Sequence, residues 1–359
     1  MRDYATTAAG FDLQRTAAAT LSGTLQALNA CVECCDRHAL PGRIALFWEG
    51  KDGSRASYTF SELKALSGRF ANFLQAQGVR PGDCVAGLLP RTPELLVTIL
   101  GAWRLGAVYQ PLFTAFGPKA IEHRVATAGS KVLVTDAANR DKLDELADPP
   151  LAVTVGGPKG QGIRRGDFSF WAELERYPAE FEPVPRSGED PFLMMFTSGT
   201  TGEPKGAIIT HNNLLCAIDA YTQKLNLTAA DSTILAVPIY HITGLSALLA
   251  LFISLGASIW LQHRFNAPQV ITTLREQNIT FLHGSPTIFI LLCQAAREQS
   301  ASHPGDFPAL RTIACGAGHL SDGLIKELKT LFPHTAIQPI YGLTETTSPA
   351  TIFPGDVWG

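Results

Sequence analysis

Between Phe196 and Gly206 the chain reads FTSGTTGEPKG, which packs three glycines, four hydroxyl side chains and one lysine into eleven residues. Gly199, Gly202 and Gly206 let the backbone approach a ligand closely and turn its N–H groups outward. The hydroxyls of Thr197, Ser198, Thr200 and Thr201 can each donate to an anionic oxygen, and Lys205 adds a positive charge. Together these groups specify a cradle for a polyphosphate. The spacing differs from the G-x-x-x-x-G-K-S/T loop, which runs directly into a helix. Here the flanks 192–196 and 206–210 both read as strands, so the loop joins two strands and a helix begins only near Asn212.

Other candidate clusters carry less chemistry. Cys31, Cys34, Cys35 and His38 lie close together, but no second Cys/His pair follows at the spacing of a zinc site, and the stretch reads as helix. The glycine-rich run 156–162 leads into Arg164 and Arg165, not into a helix, and reads as a surface loop. His241 lies in an apolar stretch, where a histidine is ordinarily a hydrogen-bonded core residue.

Four segments, in order, resemble the signatures of the adenylate-forming superfamily of acyl-CoA synthetases, luciferases and peptide-synthetase adenylation domains. They are the Thr197–Lys205 loop, Pro238-Ile-Tyr-His-Ile-Thr-Gly244, Cys315-Gly-Ala-Gly-His-Leu320 and Tyr341-Gly-Leu-Thr-Glu345. Gly318 and His319 depart from the family's S-G-A-A-P-L. The resemblance implies an N-terminal adenylation domain over 1–359, with subdomains of about 1–190 and 191–359. Loop residues Thr197, Ser198, Gly199, Thr200, Thr201, Gly202 and Lys205 would close over the β- and γ-phosphates of ATP. Glu345, with Thr197, would hold Mg²⁺, and Thr344 would contact the α-phosphate. Tyr341, Gly342 and the Gly316–Ala317–Gly318 backbone would flank the adenine. Tyr240, His241, Gly316 and Leu343 would line the acyl pocket. His241 would orient the substrate, because a carboxylate nucleophile needs no base near neutral pH. Lys205, Thr344, Glu345 and His241 form the implied catalytic set.

The implied reaction joins a small carboxylic acid to CoA at the expense of ATP, through an acyl-adenylate. Gly-Leu-Thr-Glu in place of G-P-T-E, and Tyr240-His241 in place of an aspartate, favour an acyl over an amino-acid substrate. The segments 45–50 and 111–125 resemble short- and medium-chain synthetases, while Gly342 stands where acetate-specific enzymes carry tryptophan. In the family a ribose-binding aspartate, a hinge and a small C-terminal domain with a catalytic lysine follow this region. The resulting expectation is binding of ATP or adenylate with little turnover. Two further readings are a non-catalytic ATP- or acyl-binding module and another adenylating class, luciferase-like or amino-acid-activating.

The elements that must position these residues alternate along the chain. Thr59-Phe-Ser-Glu62 is a capping box for a helix ending at Gly78, and strands and helices then follow at 84–89, 94–105, 108–111, 118–128 and 131–135. After residue 265 the rhythm returns as helix 267–277, strand 280–283, helix 286–298, strand 312–315, helix 321–330 and strand 336–341. Strands separated by helices imply an α/β fold of two packed, parallel-rich sheets flanked by helices, with a smaller β-rich part beside them.

The twenty uncharged residues 242–261 are long enough to span a membrane, but Gly256 divides them into a helix-like and a strand-like half, the pattern of a buried helix feeding a buried strand. No transmembrane segment is expected. The net charge of −3, from 29 basic and 32 acidic residues, provides no general field for nucleic acid, so an anionic substrate needs a local device. Seven cysteines without disulfide-scaffold spacing read as reduced thiols of a cytoplasmic protein.

Overall fold

The computed structural model describes residues 9–198, 202–299 and 307–358. Local signals in the chain set most element boundaries. Thr59 Oγ1 accepts from the Glu62 N–H at 3.1 Å while the Glu62 carboxylate accepts from the Thr59 N–H at 2.7 Å, closing the capping box of the helix Phe60–Ala76. The helices Pro93–Leu105 and Pro118–Ala128 start on proline, whose missing N–H costs nothing there, and end at Gly106 and Gly129 in the left-handed region.

The strands are β1 (Ile44–Glu49), β2 (Arg55–Thr59), β3 (Cys84–Leu88), β4 (Val108–Pro111), β5 (Ser130–Asp136), β6 (Leu151–Val155), β7 (Phe168–Ser169), β8 (Pro191–Thr197), β9 (Lys205–Thr210), β10 (Ser232–Ile234), β11 (Ser258–Gln262), β12 (Phe281–Gly284), β13 (Thr312–Cys315), β14 (Ala336–Tyr341) and β15 (Thr351–Ile352). Among the described residues all of them fall into two sheets, one of eight strands in the order β15-β14-β13-β12-β10-β11-β1-β2 and one of seven in the order β7-β6-β5-β3-β4-β8-β9. Pairing is parallel except at β1–β2, β8–β9 and β14–β15. The α/β architecture of two parallel-rich sheets with flanking helices is therefore as the alternation implies. The smaller β-rich part has no separate sheet among the described residues. Nor do the sheets divide the chain near residue 190: β8 and β9 complete the seven-stranded sheet, and the early pair β1–β2 closes the other.

One continuous core joins the two sheets. It takes Val85, Val132 and Phe192 from the seven-stranded sheet, Leu46, Ile259 and Phe281 from the other, and the helices packed between them. The helix Pro93–Leu105 is buried along its whole length apart from Glu94, which explains its near-continuous apolar sequence. Each fully buried Leu or Ile there contributes about 1.5–3 kcal/mol. The same helix carries Arg104, whose guanidinium is buried and donates to both oxygens of Asp36, to Ser67 Oγ and to Cys31 Sγ. The Cys31 region is thus packing: burial pushes that thiol up to about 12, and no metal-holding cluster of three occurs among the described residues. The helix there is shorter than its sequence suggests, Ala30–Cys34 followed by one 3-10 turn.

Residues 242–261 form a buried helix and a buried strand, as their composition implies. The first half, Thr243–Ala250, is a π-helix that passes into Leu251–Ser254, and after Gly256 the chain enters β11 between β10 and β1. No helix among the described residues is long and apolar enough to cross a membrane.

Candidate active site

The glycine- and hydroxyl-rich loop sits at the mouth of the β8–β9 hairpin. Thr197 and Lys205 are direct cross-strand partners, so the first hydroxyl and the lysine emerge from the same end of the ladder. Ser198, Gly202 and Lys205 are exposed, and Gly202 has φ +126°, a backbone state open to glycine. Gly199, Thr200 and Thr201 lie outside the described residues. Beneath the hairpin, His123 on the helix Pro118–Ala128 reaches the Pro204 carbonyl at 3.0 Å through Nε2, and the Arg124 guanidinium lies 4.1 Å from the Phe116 ring and 5.7 Å from that of Phe196. Reading the sequence alone assigned no role to either residue.

The decisive contact crosses the seam between the sheets. β14 ends at Tyr341, and a 3-10 turn at Thr344–Thr346 projects Glu345 back toward β8. Thr197 Oγ1 donates to Glu345 Oε1 at 3.4 Å, joining residues 148 apart in the chain. Thr344 is half-buried in the same turn. The turn is held from below: Thr346 Oγ1 accepts from the Leu343 N–H at 3.0 Å, and the Ala350 N–H donates to the Tyr341 carbonyl at 2.8 Å. Thr347 and Ser348, both buried, adopt left-handed conformations with φ 61° and 46°. Such states cost about 1–3 kcal/mol each and persist only where neighbours impose them.

The Cys315–Leu320 segment meets the same site. The Gly316 N–H extends the ladder past β13 by donating to the Gly284 carbonyl at 3.1 Å, and a Cβ on Gly316 would stand 2.6 Å from the Ile340 carbonyl oxygen. Only glycine fits between β13 and β14 at that level. Ala317 takes φ +60° and is exposed, as is Gly318, and both lie beside the strand that delivers Tyr341 and Gly342. Tyr341 is 60% exposed although it closes a strand of the sheet.

Tyr240 and His241 follow a turn in which the His241 N–H donates to the Pro238 carbonyl at 3.1 Å. Their rings are 4.6 Å apart, and Tyr240 lies 4.1 Å from the ring of Phe113. His241 is exposed at its edge, yet its partly apolar surroundings lower its pKa, favouring the neutral ring. A cleft of about 340 Å³ opens between the sheets here, walled by Phe113 and Tyr240 and by the cations Lys51, Arg91 and Arg264. Arg91 is anchored by donation to the carbonyls of Leu235 (2.8 Å) and Ala236 (3.1 Å), and burial lowers its pKa to about 10. Of the four residues expected around the acyl group, Tyr240 lines this cleft, whereas His241, Gly316 and Leu343 do not. Leu343 is half exposed on the strand-end turn.

A buried polar group under the site had no signature of its own. His283, near the end of β12, points its Nε2 at Tyr221 Oη (3.3 Å), and that hydroxyl also contacts Ser348 Oγ at 3.2 Å. A lone histidine inside the apolar run Phe281–Gly284 was the available hint.

Residues 35–358 match the AMP-binding enzyme family. An indoleacetate–CoA ligase of Aromatoleum aromaticum is 32% identical over 328 residues, 88% of this chain and 60% of the relative. A feruloyl-CoA synthase of an Amycolatopsis species is 30% identical over 287 residues, 80% and 54% of the two chains. Among solved structures, an acyl-CoA synthetase of Brucella canis superposes with a TM-score of 0.88 at 38% identity, over 96% of this chain and 62% of that one. The chain thus spans between half and two thirds of the length of these three relatives. Its two-sheet fold, the hydroxyl-rich hairpin meeting an acidic strand end and the match over residues 35–358 together establish that the chain belongs to the AMP-binding, adenylate-forming enzyme family.

Proposed function

We propose that this chain is the ATP- and carboxylate-binding N-terminal adenylation domain of an AMP-forming acyl-CoA synthetase. The observation that carries the reading is the 3.4 Å contact between Thr197 and Glu345, which puts the phosphate-type hairpin and the acidic strand end within reach of one nucleotide. A carboxylate oxygen of the acid attacks the α-phosphorus of ATP, the bond to pyrophosphate breaks, and an acyl-adenylate forms. The CoA sulfur then attacks the acyl carbon, AMP departs, and the thiol proton is released.

The chain's own groups contribute position and charge. Lys205 and the hairpin N–H groups and hydroxyls hold the β- and γ-phosphates, and Thr344 faces the α-phosphate. The Gly316–Gly318 backbone, exposed at Ala317 and Gly318, and the exposed Tyr341 flank the adenine. His241, neutral in its surroundings, orients the acid. The Glu345 carboxylate and Thr197 hydroxyl are hard oxygen donors side by side, the donor set that Mg²⁺ accepts alongside phosphate oxygens. Bound there, the ion would supply charge neutralisation of the polyphosphate. The cation-walled cleft at Lys51, Arg91 and Arg264 adjoins the site through Tyr240, and we assign it to the anionic portion of CoA. Seven free cysteines fit a reducing, cytoplasmic setting.

The test combines calorimetric titration of Mg²⁺-ATP with ATP–pyrophosphate exchange over a panel of carboxylic acids. Glu345→Gln and Lys205→Ala each are expected to lower exchange by about 100- to 1,000-fold, the range for losing one transition-state donor. Mg²⁺-ATP affinity that survives in both variants would overturn the assignment, since neither group would then touch the nucleotide.

A further inference from the structure

His123, on the helix Pro118–Ala128, touches both arms of the β8–β9 hairpin. Its ring centroid is 6.1 Å from that of Phe196 with the planes at 74°, an edge-to-face contact. On the other arm its Nε2 is 3.0 Å from the Pro204 carbonyl oxygen. A carbonyl only accepts, so Nε2 carries the proton and donates. Nδ1 then faces the Glu203 carboxylate at 3.8 Å, but that side chain is 87% exposed, so the pairing adds little and the carbonyl bond is the one that holds. Phe196 and Thr197 pair across the ladder with Gly206 and Lys205. His123 is thus wedged under the rungs that carry the hairpin's first hydroxyl and its lysine. The wedge has a firm base. Ile121 and Val125 of the same helix are buried against Ala86, Leu88 and Leu133 of the seven-stranded sheet, and the buried Gln110 of β4 donates to the Arg124 carbonyl at 2.9 Å.

From this arrangement we infer that His123 is a positioning residue for Lys205: it fixes the peptide that precedes the lysine, and through it the grip on the β- and γ-phosphates of ATP. This rests on the adenylate-forming reading given above and adds to it a residue that touches no substrate. The Pro204 carbonyl and the Lys205 N–H belong to one planar trans peptide, in which they point in opposite directions. Holding the oxygen therefore sets the direction of the N–H and the root of the lysine side chain. The residues just before it need such a hold. Pro204 has no N–H of its own to donate, and Gly202 sits at φ +126°, where the backbone is at its most permissive. Lysine also carries its charge on a long flexible stem, so a wandering root adds to the freedom that phosphate binding must remove. Arg124 supports the same frame from the other arm through its contact with the Phe196 ring. The effect is confined to the phosphates that Lys205 holds. AMP lacks both of them and should not sense His123.

The experiment titrates the 359-residue chain with Mg²⁺-ATP and, separately, with AMP by calorimetry. His123→Phe keeps a ring against Phe196 and removes the donor to Pro204. It is expected to lower Mg²⁺-ATP affinity about 3- to 10-fold, the worth of one hydrogen bond, and to leave AMP affinity unchanged. His123→Gln, whose amide N–H can reach the same carbonyl, is expected to restore most of the loss. Should His123→Phe fail to fold, His123→Ala, which removes the donor without filling its space, carries the same expectation. A loss that falls equally on ATP and AMP, an unchanged ATP affinity, or no recovery in His123→Gln overturns the inference and leaves the adenylation reading standing. If the parent chain binds neither nucleotide, or Mg²⁺-ATP no more tightly than AMP, the phosphate grip assigned to the hairpin falls and this inference with it.

Discussion

Replacing Gly316 by alanine adds one methyl group at the point where β13 passes β14. The new Cβ would stand 2.6 Å from the Ile340 carbonyl oxygen, a main-chain atom that cannot rotate aside. Relief to ordinary van der Waals distance requires the two strand ends to part by about 0.8 Å. Overpacking of this size costs about 1–3 kcal/mol. The strain falls on the residue just before Tyr341, so the displacement carries into Gly342, Thr344 and Glu345, and a shift near 1 Å at reacting groups costs about 100-fold in rate. The expected result is a lowered urea midpoint together with a loss of roughly 10- to 100-fold in Mg²⁺-ATP affinity or pyrophosphate exchange. The control is Gly323→Ala, one residue into the helix Asp322–Leu331, where the nearest atom would be 3.9 Å away. There the methyl group is unopposed, and alanine is expected to hold or raise stability with no change in nucleotide binding. A Gly316→Ala protein that is destabilised yet binds Mg²⁺-ATP as tightly as the parent would refute the reasoning, because the Gly316 wall would then be a strand contact and no part of the nucleotide site.

Acid should weaken the fold in a recognisable window. Burial holds the folded pKa of His283 near 4 against an ordinary 6.5, so between these values the unfolded chain takes up a proton that the folded chain refuses. The stabilisation is complete above pH 6.5 and is lost as pH falls toward 4, by about 3 kcal/mol. His211 and His38, also lowered chiefly by burial, add in the same direction. Urea midpoints measured across this range should fall, and His283→Leu should flatten the slope; an unchanged slope in the variant would show that the ring is already protonated in the folded state. Thiol labelling supplies an independent check on packing. Burial raises Cys31 and Cys315 to about 12 and Cys84 and Cys293 to about 11, while Cys216 is only half-buried. Since the thiolate is the reactive form, peptide mapping after brief maleimide treatment at neutral pH should find Cys216 first. Labelling of Cys31 at a comparable rate in the folded protein would contradict the packing around Arg104.

How far the chemistry could be read without coordinates depended on whether it was local. The hairpin from Thr197 to Lys205 announces itself because every group that can cradle a phosphate lies within nine consecutive residues, and a two-strand hairpin needs no distant partner to present them. The capping box at Thr59 and the proline starts at Pro93 and Pro118 were legible for the same reason: the atoms that satisfy one another are three or four positions apart. Glu345 was recognisable only through its neighbours in Tyr341–Glu345, since an isolated glutamate at a strand end carries no such information.

Long-range pairing followed different rules. Nothing in the apolar runs of β8 and β9 says that they extend the seven-stranded sheet, or that β1 and β2 join strands some two hundred residues later, because any alternating or continuously apolar strand can bury itself against either sheet. The His283–Tyr221–Ser348 chain, the brace of His123 under Pro204 and the Arg104–Asp36 pair were equally silent. Each depends on side chains brought together across 62 to 127 positions. Residue types and short spacings determined the family and the segments that form the candidate site. Only packing decided which buried groups stand beneath those segments, since a hydrogen bond is a matter of a few tenths of an ångström that composition does not encode.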